Sequence, residues 1–261
     1  MDNSKKNDDE LNVLCNNLSK NLNITTEPKD ETKTCKEAEP VVKVETISYT
    51  YSEIITAIKE ECGNINLTYS KEGDGRITSA VKEKEYLDAL ETKLNAKYKF
   101  NIIRPKERFW YDIEINGIPI NLKLTTGKTD NAFNKSSIVA TLSCSNPSIS
   151  QNTNFNKLYD ALKNCAKSKE RNPSTEYHYL AVHKNTGKIL LKSILDIHSY
   201  KSNPSNILQI NWDNEFKNID YNCEDFKEKI RELLKTIQTS LKKQFENNKK
   251  FIDADIDKDF A

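Results

Sequence analysis

The sequence predicts an α/β fold, a mixed sheet flanked by helices, over residues 46–261, behind a polar tail of residues 1–45. Three stretches predict it. An amphipathic run from about Thr78 to Lys97 precedes two alternating apolar stretches joined by Asn116-Gly117. A second helical repeat, Phe155 to Lys169, then leads into a strand pattern at Tyr177 to Lys184. A helix between two strands supplies the crossover that parallel pairing requires.

The tail is rich in Asn, Lys, Asp, Glu and Thr and holds 7 basic and 10 acidic side chains. Only Leu11 to Leu22 has apolar spacing. Such a composition buries too little apolar surface to fold, so the tail is expected to be disordered or weakly helical. Ile54, Ile55, Ala57, Ile58 and Cys62 then repeat at helical spacing, closed by Gly63-Asn64. Ile65 to Tyr69 reads as a short extended piece. Gly73-Asp74-Gly75-Arg76 opens the long helix, whose apolar positions are Ala80, Val81, Tyr86, Leu87, Leu90 and Leu94. Tyr98 to Arg104 reads as a strand ended by Pro105.

Asn-Gly between alternating runs is the strongest local hairpin signal, because both residues accept the positive φ of a type I′ turn. That turn sets Ile115 opposite Ile118, Ile113 opposite Ile120 and Tyr111 opposite Leu122. Side chains alternate along a strand. Phe109, Tyr111, Ile113, Ile115, Ile118, Ile120, Leu122 and Leu124 therefore form a core face, and Trp110, Asp112, Glu114, Pro119, Asn121, Lys123 and Thr125 the other. After the hairpin, residues 126–137 read as a polar loop and Ile138 to Leu142 as a short strand. The strand at Tyr177 to Lys184 turns at Asn185-Thr186-Gly187 and returns through Lys188 to Leu195. A strand at 206–212 and an amphipathic helix at 223–250 follow, the helix with Phe226, Ile230, Leu233, Leu234, Ile237, Leu241 and Phe245 inward.

The polar face of the hairpin carries the chemistry. Asp112 lies across from Asn121, and Lys123 is two residues further along. Directly opposed Cβ atoms are about 5 Å apart, so a carboxylate, an amide oxygen and an ammonium converge. A hard divalent cation takes such oxygen donors. An adjacent ammonium can orient a water and hold a phosphate oxygen.

This constellation resembles the PD-(D/E)xK nuclease motif of type II restriction endonucleases. Asp112 matches the first Asp, and Asn121-Leu122-Lys123 matches the acid-x-Lys half. Tyr111 stands where the family has Pro and Asn121 where it has an acid, which leaves the metal site one carboxylate short. Glu114, on the same face, can partly compensate. Gly75-Arg76-Ile77-Thr78-Ser79 followed by Glu85 resembles the family's preceding helix, which supplies a Glu to the site. Glu85 ranks above Glu83 because it flanks Tyr86 and Leu87.

The resemblance covers about residues 75–195. It implies a restriction-endonuclease-like fold, a Mg²⁺ cofactor, a homodimer, and cleavage of double-stranded DNA at a specific short sequence. It implies catalytic roles for Asp112, Asn121, Lys123 and Glu85, and metal contacts from Asp112, Asn121, Glu85 and Glu114. Lys128, Asn131, Asn134, Lys135 and Ser136 follow the hairpin. Lys and Ser suit phosphate contacts and Asn suits adenine edges, so these five are expected to meet DNA. Two other readings stand beside the leading one: a repair or mobile-element nuclease of the same fold, and a non-catalytic DNA-binding domain.

Composition narrows the rest. A net charge of +1 neither requires nor excludes nucleic acid. No apolar run reaches membrane-spanning length, and the polar start MDNSKKNDDE has no signal-peptide core, so a cytoplasmic protein without membrane contact is expected. Six cysteines without C-x-x-C spacing read as reduced thiols, and three scattered histidines disfavour a zinc centre. Phosphate-binding and dinucleotide-binding glycine loops are missing, so no nucleotide cofactor is expected.

Overall fold

The computed structural model describes residues 48–65, 75–143, 149–150, 152–165 and 171–254. The tail, the extended piece through Tyr69 and the turn at Gly73-Asp74 lie outside, or largely outside, these residues. Helix α1 (Tyr51–Gly63) begins at a capping box, in which the Glu53 N–H donates to Thr50 Oγ1 and the Thr50 N–H donates to the Glu53 carboxylate at 2.7 Å. Helix α2 runs over Gly75–Lys97. Then come strands β1 (Ile102–Ile103), β2 (Ile113–Ile115), β3 (Ile118–Thr125) and β4 (Thr129–Asn131). Helices α3 (Lys135–Ser143) and α4 (Phe155–Cys165) lead to strands β5 (His178–His183) and β6 (Ile189–Ser193). Strands β7 (Tyr200–Asn203) and β8 (Ile207–Asn211) precede helices α5 (Trp212–Lys217) and α6 (Phe226–Ile252).

The chain is a mixed α/β protein. Its main sheet has the order β1-β2-β3-β5-β6, with β3 and β5 parallel and the other neighbours antiparallel. The chain passes from β3 to β5 through α3 and α4, the crossover that the helical repeat at Phe155 predicts. A second sheet, β4-β8-β7, was not foreseen: Thr129–Asn131 leaves the polar loop to pair with β8.

The main sheet separates two cores. Ile113, Ile115, Ile118, Ile120, Leu122 and Leu124 pack with Leu180 and Val182 against Ile54, Ile58, Leu87, Leu90 and Leu94 of α1 and α2. Tyr179, Ala181 and Leu190 pack with Ile138, Leu142, Leu158, Leu208, Trp212 and Ile237. Burial on both faces explains why β5 reads as an almost unbroken apolar run.

Two expected elements differ. Ile138 to Leu142 is the interior of α3, not a strand. Residues 136–142 are buried throughout, and a fully apolar run has the same appearance in a buried helix and a buried strand. The deciding signal is Asn134, whose Oδ1 accepts the Ser137 N–H at 3.0 Å at the helix start. The strand expected over Tyr98–Arg104 shrinks to Ile102–Ile103. Phe245 is half exposed rather than inward, since the buried positions of α6 end at Ser240.

A polar cluster ties α1 to the start of β5. His178 is fully buried; Nδ1 lies 2.7 Å from the Glu176 carbonyl and Nε2 lies 2.8 Å from the Tyr51 hydroxyl. A carbonyl only accepts, so Nδ1 carries the proton and Nε2 accepts from Tyr51. Burial holds the imidazole neutral and lowers its pKa from 6.5 to about 4. The folded value lies below the unfolded one, so this contribution to stability is complete above pH 6.5. It is lost as pH falls toward 4, at up to about 1.4 kcal/mol per pH unit. Urea unfolding at pH 7 and pH 4.5 should show that loss, and His178→Gln should lessen the pH dependence. An unchanged pH dependence in the variant would place the acid sensitivity elsewhere.

Candidate functional site

The predicted hairpin register holds from the turn back to Ile113, and the expected pairing of Tyr111 with Leu122 is not formed. Ile113 pairs with Ile120 and Ile115 with Ile118, across a turn in which Asn116 and Gly117 have φ of 49° and 84°. The simple alternation ends at Asp112. Its N–H donates to the carbonyl of Ile120, at 2.9 Å, although Ile113 is the residue paired with Ile120. Two residues of one strand thus meet one of the other, the geometry of a β-bulge, which re-aims side chains. Tyr111 consequently joins the core on the opposite side of the sheet from Ile113, and Phe109 is 51% exposed rather than buried.

The bulge delivers the Asp112 carboxylate to β3. Its Oδ2 accepts the Leu122 N–H at 2.8 Å and the Asn121 Nδ2 at 2.7 Å. Asn121 therefore gives an N–H to Asp112, and its Oδ1 is buried with no hydrogen-bond partner among the described residues. Leu122 and Leu124 face the core, so Asn121 and Lys123 between them share the other face, beside Tyr179 and Ala181 of β5. The Lys123 ammonium is close enough to Asp112 to favour its ionised form. Burial outweighs this, and the Asp112 carboxyl lies above the usual carboxylate range.

The structure changes the choice of helix glutamate. Glu85 pairs with Lys82 at 2.6 Å and is half exposed. Glu83 reaches the hairpin instead. Its carboxylate lies near the Leu124 backbone N–H and feels the charges of Lys123, Asp112 and Lys184. Burial pushes its carboxyl up as well, and the Asp112 charge adds to the rise. Flanking Tyr86 and Leu87 was the misleading criterion: residues next to buried positions rotate away by about 100° each on a helix. The i+4 spacing from Glu83 to buried Leu87 was the better signal. Glu114 lies beside the Tyr111 hydroxyl, whose pKa burial raises first and the Glu114 charge raises further.

Both carboxyls are raised in the fold, so ionising them costs stability, and that cost grows as pH rises through their folded values. Glu83→Gln keeps the size and shape of the side chain and removes the charge. It should melt a few degrees above the unsubstituted protein at pH 8, a gain of roughly 1 kcal/mol, and the gap should close at pH 4. Thermal melts at the two pH values test this; a lower melting temperature at pH 8 would contradict it.

The five side chains expected to meet DNA separate into two groups. Asn134 donates through Nδ2 to the Trp110 carbonyl at 2.9 Å and caps α3. Lys135 donates to the Thr153 carbonyl and lies over the Phe155 ring. Ser136 is buried and donates to the Ile149 carbonyl. These three hold the start of α3 in place and do not form a polar recognition loop. Lys128 and Asn131 are exposed.

Sequence reasoning missed the cleft beside Asp112. It measures about 700 Å³ and is lined by Glu83 and Lys84 from α2, the segment Arg104–Phe109, and Tyr111 and Asp112. An available signal was the density of Arg and Lys in Arg104-Pro105-Lys106-Glu107-Arg108. Among the described residues no group of three His, Cys, Asp or Glu side chains is placed to hold a metal ion. The donor set here is instead two carboxylates and one amide oxygen. The Asn121 amide turns its Nδ2 to Asp112, so its oxygen would join this set with the amide reversed, and a divalent cation fits two carboxylates with one amide oxygen. Among the described residues no helix is long and apolar enough to cross a membrane. No protein-family model, curated protein or solved structure matches the chain.

Proposed function

We propose that this protein is a Mg²⁺-dependent endonuclease that hydrolyses phosphodiester bonds of double-stranded DNA at a short specific sequence. The observation that carries the reading is the meeting of Asp112, Asn121 and Lys123 on one hairpin with Glu83 from α2, at the edge of an open cleft. The sheet order and the helix ahead of the hairpin are in keeping with a restriction-endonuclease-like fold. Asp112, the Asn121 amide oxygen and Glu83 would hold the cation. Bound Mg²⁺ would supply Lewis acidity at the scissile phosphate and a more acidic water. Lys123 would orient the attacking water and stabilise the charge that develops on the phosphate oxygens. Asp112, fixed by the Leu122 N–H, sets the register of these groups. Cutting both strands of a symmetric site would employ a homodimer with two such sites related by a twofold axis.

The experiment is digestion of a defined supercoiled plasmid by the full chain, with Mg²⁺ and with EDTA. Discrete Mg²⁺-dependent fragments are the expected result. Smearing would instead support a repair or mobile-element nuclease of this fold. No cleavage with Mg²⁺ or Mn²⁺ would overturn the enzymatic reading and favour a DNA-binding domain. Asn121 in place of a second hairpin carboxylate is the observation that gives that alternative weight.

A further inference from the structure

We infer that the cleft formed by α2 and the β1–β2 connection is the track for the DNA backbone, with Lys84, Lys106 and Arg108 as its phosphate contacts and Phe109 as an apolar contact to sugar or base. The inference rests on the nuclease reading and moves its DNA surface away from the loop after the hairpin. Four observations lead to it.

The cleft is continuous with the candidate site, because Glu83 and Asp112 belong to its wall. A strand lying in it would pass the groups proposed to act on a phosphate. The cleft encloses about 700 Å³ between α2 and the segment Arg104–Phe109.

Its cations are available. Lys84, Lys106 and Arg108 are exposed, and none makes an ion pair within 4.0 Å among the described residues. Arg104 is different. It faces Asp88 at 3.4 Å and Glu91 at 3.8 Å, so it braces the cleft wall against α2. Of the acids in the cleft, Glu83 and Asp112 belong to the candidate site and Asp88 faces Arg104. Only Glu107 is left to oppose the three free cations.

The connection is held in shape. Arg108 has φ of 64°, a left-handed conformation that costs a non-glycine residue energy and that the surroundings must maintain. The Phe109 N–H donates to the Lys106 carbonyl at 3.2 Å, closing a turn. The turn aims Lys106 and Arg108 from one short, constrained segment.

Phe109 is the fourth. Its ring stands edge-on to Tyr111, with centroids 4.8 Å apart, yet remains 51% exposed at the cleft wall. An ordered exposed aromatic next to unpaired cations is the pairing that nucleic-acid surfaces use, backbone charge beside a flat apolar face.

The test is fluorescence-anisotropy binding of a labelled DNA duplex in EDTA, which separates binding from cleavage. Salt titrations compare the intact protein with a triple variant carrying Lys84→Gln, Lys106→Gln and Arg108→Asn. Asn is used at 108 because it tolerates left-handed backbone. Each lost phosphate contact lowers the slope of log K against log salt by about 0.9, so the triple variant should lose roughly 2 to 3 units of slope. Phe109→Ala should weaken binding by about tenfold with its salt slope intact, since it removes an apolar contact and no charge. Lys157→Gln with Lys163→Gln, on α4, should change neither. Thermal melts check that each variant is folded. A triple variant with an unchanged slope, while the intact protein binds and cuts, would overturn the cleft and leave the nuclease reading standing. No binding of duplex by the intact protein would overturn the cleft whether or not plasmid is cut. Binding that follows the predicted slopes without any cutting would support the cleft and count against catalysis.

Discussion

Lys123→Ala is expected to lower Mg²⁺-dependent plasmid cleavage by roughly 10²–10⁴-fold, the range for removing a group that stabilises transition-state charge or moves a proton. The substitution has a second consequence. Lys123 is one of the charges that offset burial at both Asp112 and Glu83. Without it both carboxyls rise further, so residual activity should need a higher pH than the intact protein requires. Lys123→Arg separates the two roles. It keeps a positive charge near the carboxylates and should hold the pH limb in place, but a planar guanidinium cannot reproduce the position of a compact ammonium. Its rate should therefore remain well below that of the intact protein. Single-turnover cleavage across pH measures both quantities. Full cleavage by Lys123→Ala would remove Lys123 from the mechanism, and an unshifted pH limb would remove its electrostatic part.

The hairpin was legible because its determinants are local. Asn116-Gly117 fixes a turn, the turn fixes a register, and the register brings Asp112 to Asn121. What alternation could not supply was the bulge at Asp112, since the carbonyl that its N–H chooses depends on how Tyr111 is drawn into the far core. The choice between Glu83 and Glu85 depended on which side of α2 meets β3, a tertiary fact. The second sheet was hidden for the same reason. Thr129–Asn131 has no apolar pattern and is a strand only because β8, about 80 residues later, lies beside it. Asn134, Lys135 and Ser136 looked like recognition residues because polar groups in a connection are usually solvated. Here they are turned inward to the Trp110, Thr153 and Ile149 carbonyls.

The largest effect on stability should come from a side chain far from the hairpin in sequence. Arg171 donates from Nε to Glu176 at 2.8 Å and from Nη1 and Nη2 to Asp196 at 2.9 and 2.5 Å. Glu176 also accepts the Ser193 hydroxyl, and Asp196 accepts the Cys223 N–H at 2.8 Å. One guanidinium thus ties the approach to β5, the end of β6 and the approach to α6. Both carboxylates are buried. Removing only the cation leaves two charges in a poorly solvated place, which costs about 3–5 kcal/mol. Arg171→Met should therefore lower the urea midpoint sharply and the melting temperature by about 10 °C or more. Adding Glu176→Gln and Asp196→Asn removes the stranded charges while keeping acceptors for Ser193 and Cys223. The triple variant should recover much of the loss, which distinguishes the cost of unpaired charge from the loss of packing. A single-variant loss below about 1 kcal/mol would mean that water already screens the cluster, as it does for surface ion pairs. Failure of the triple variant to recover would mean that the geometry of the guanidinium, rather than its charge, holds these three segments together.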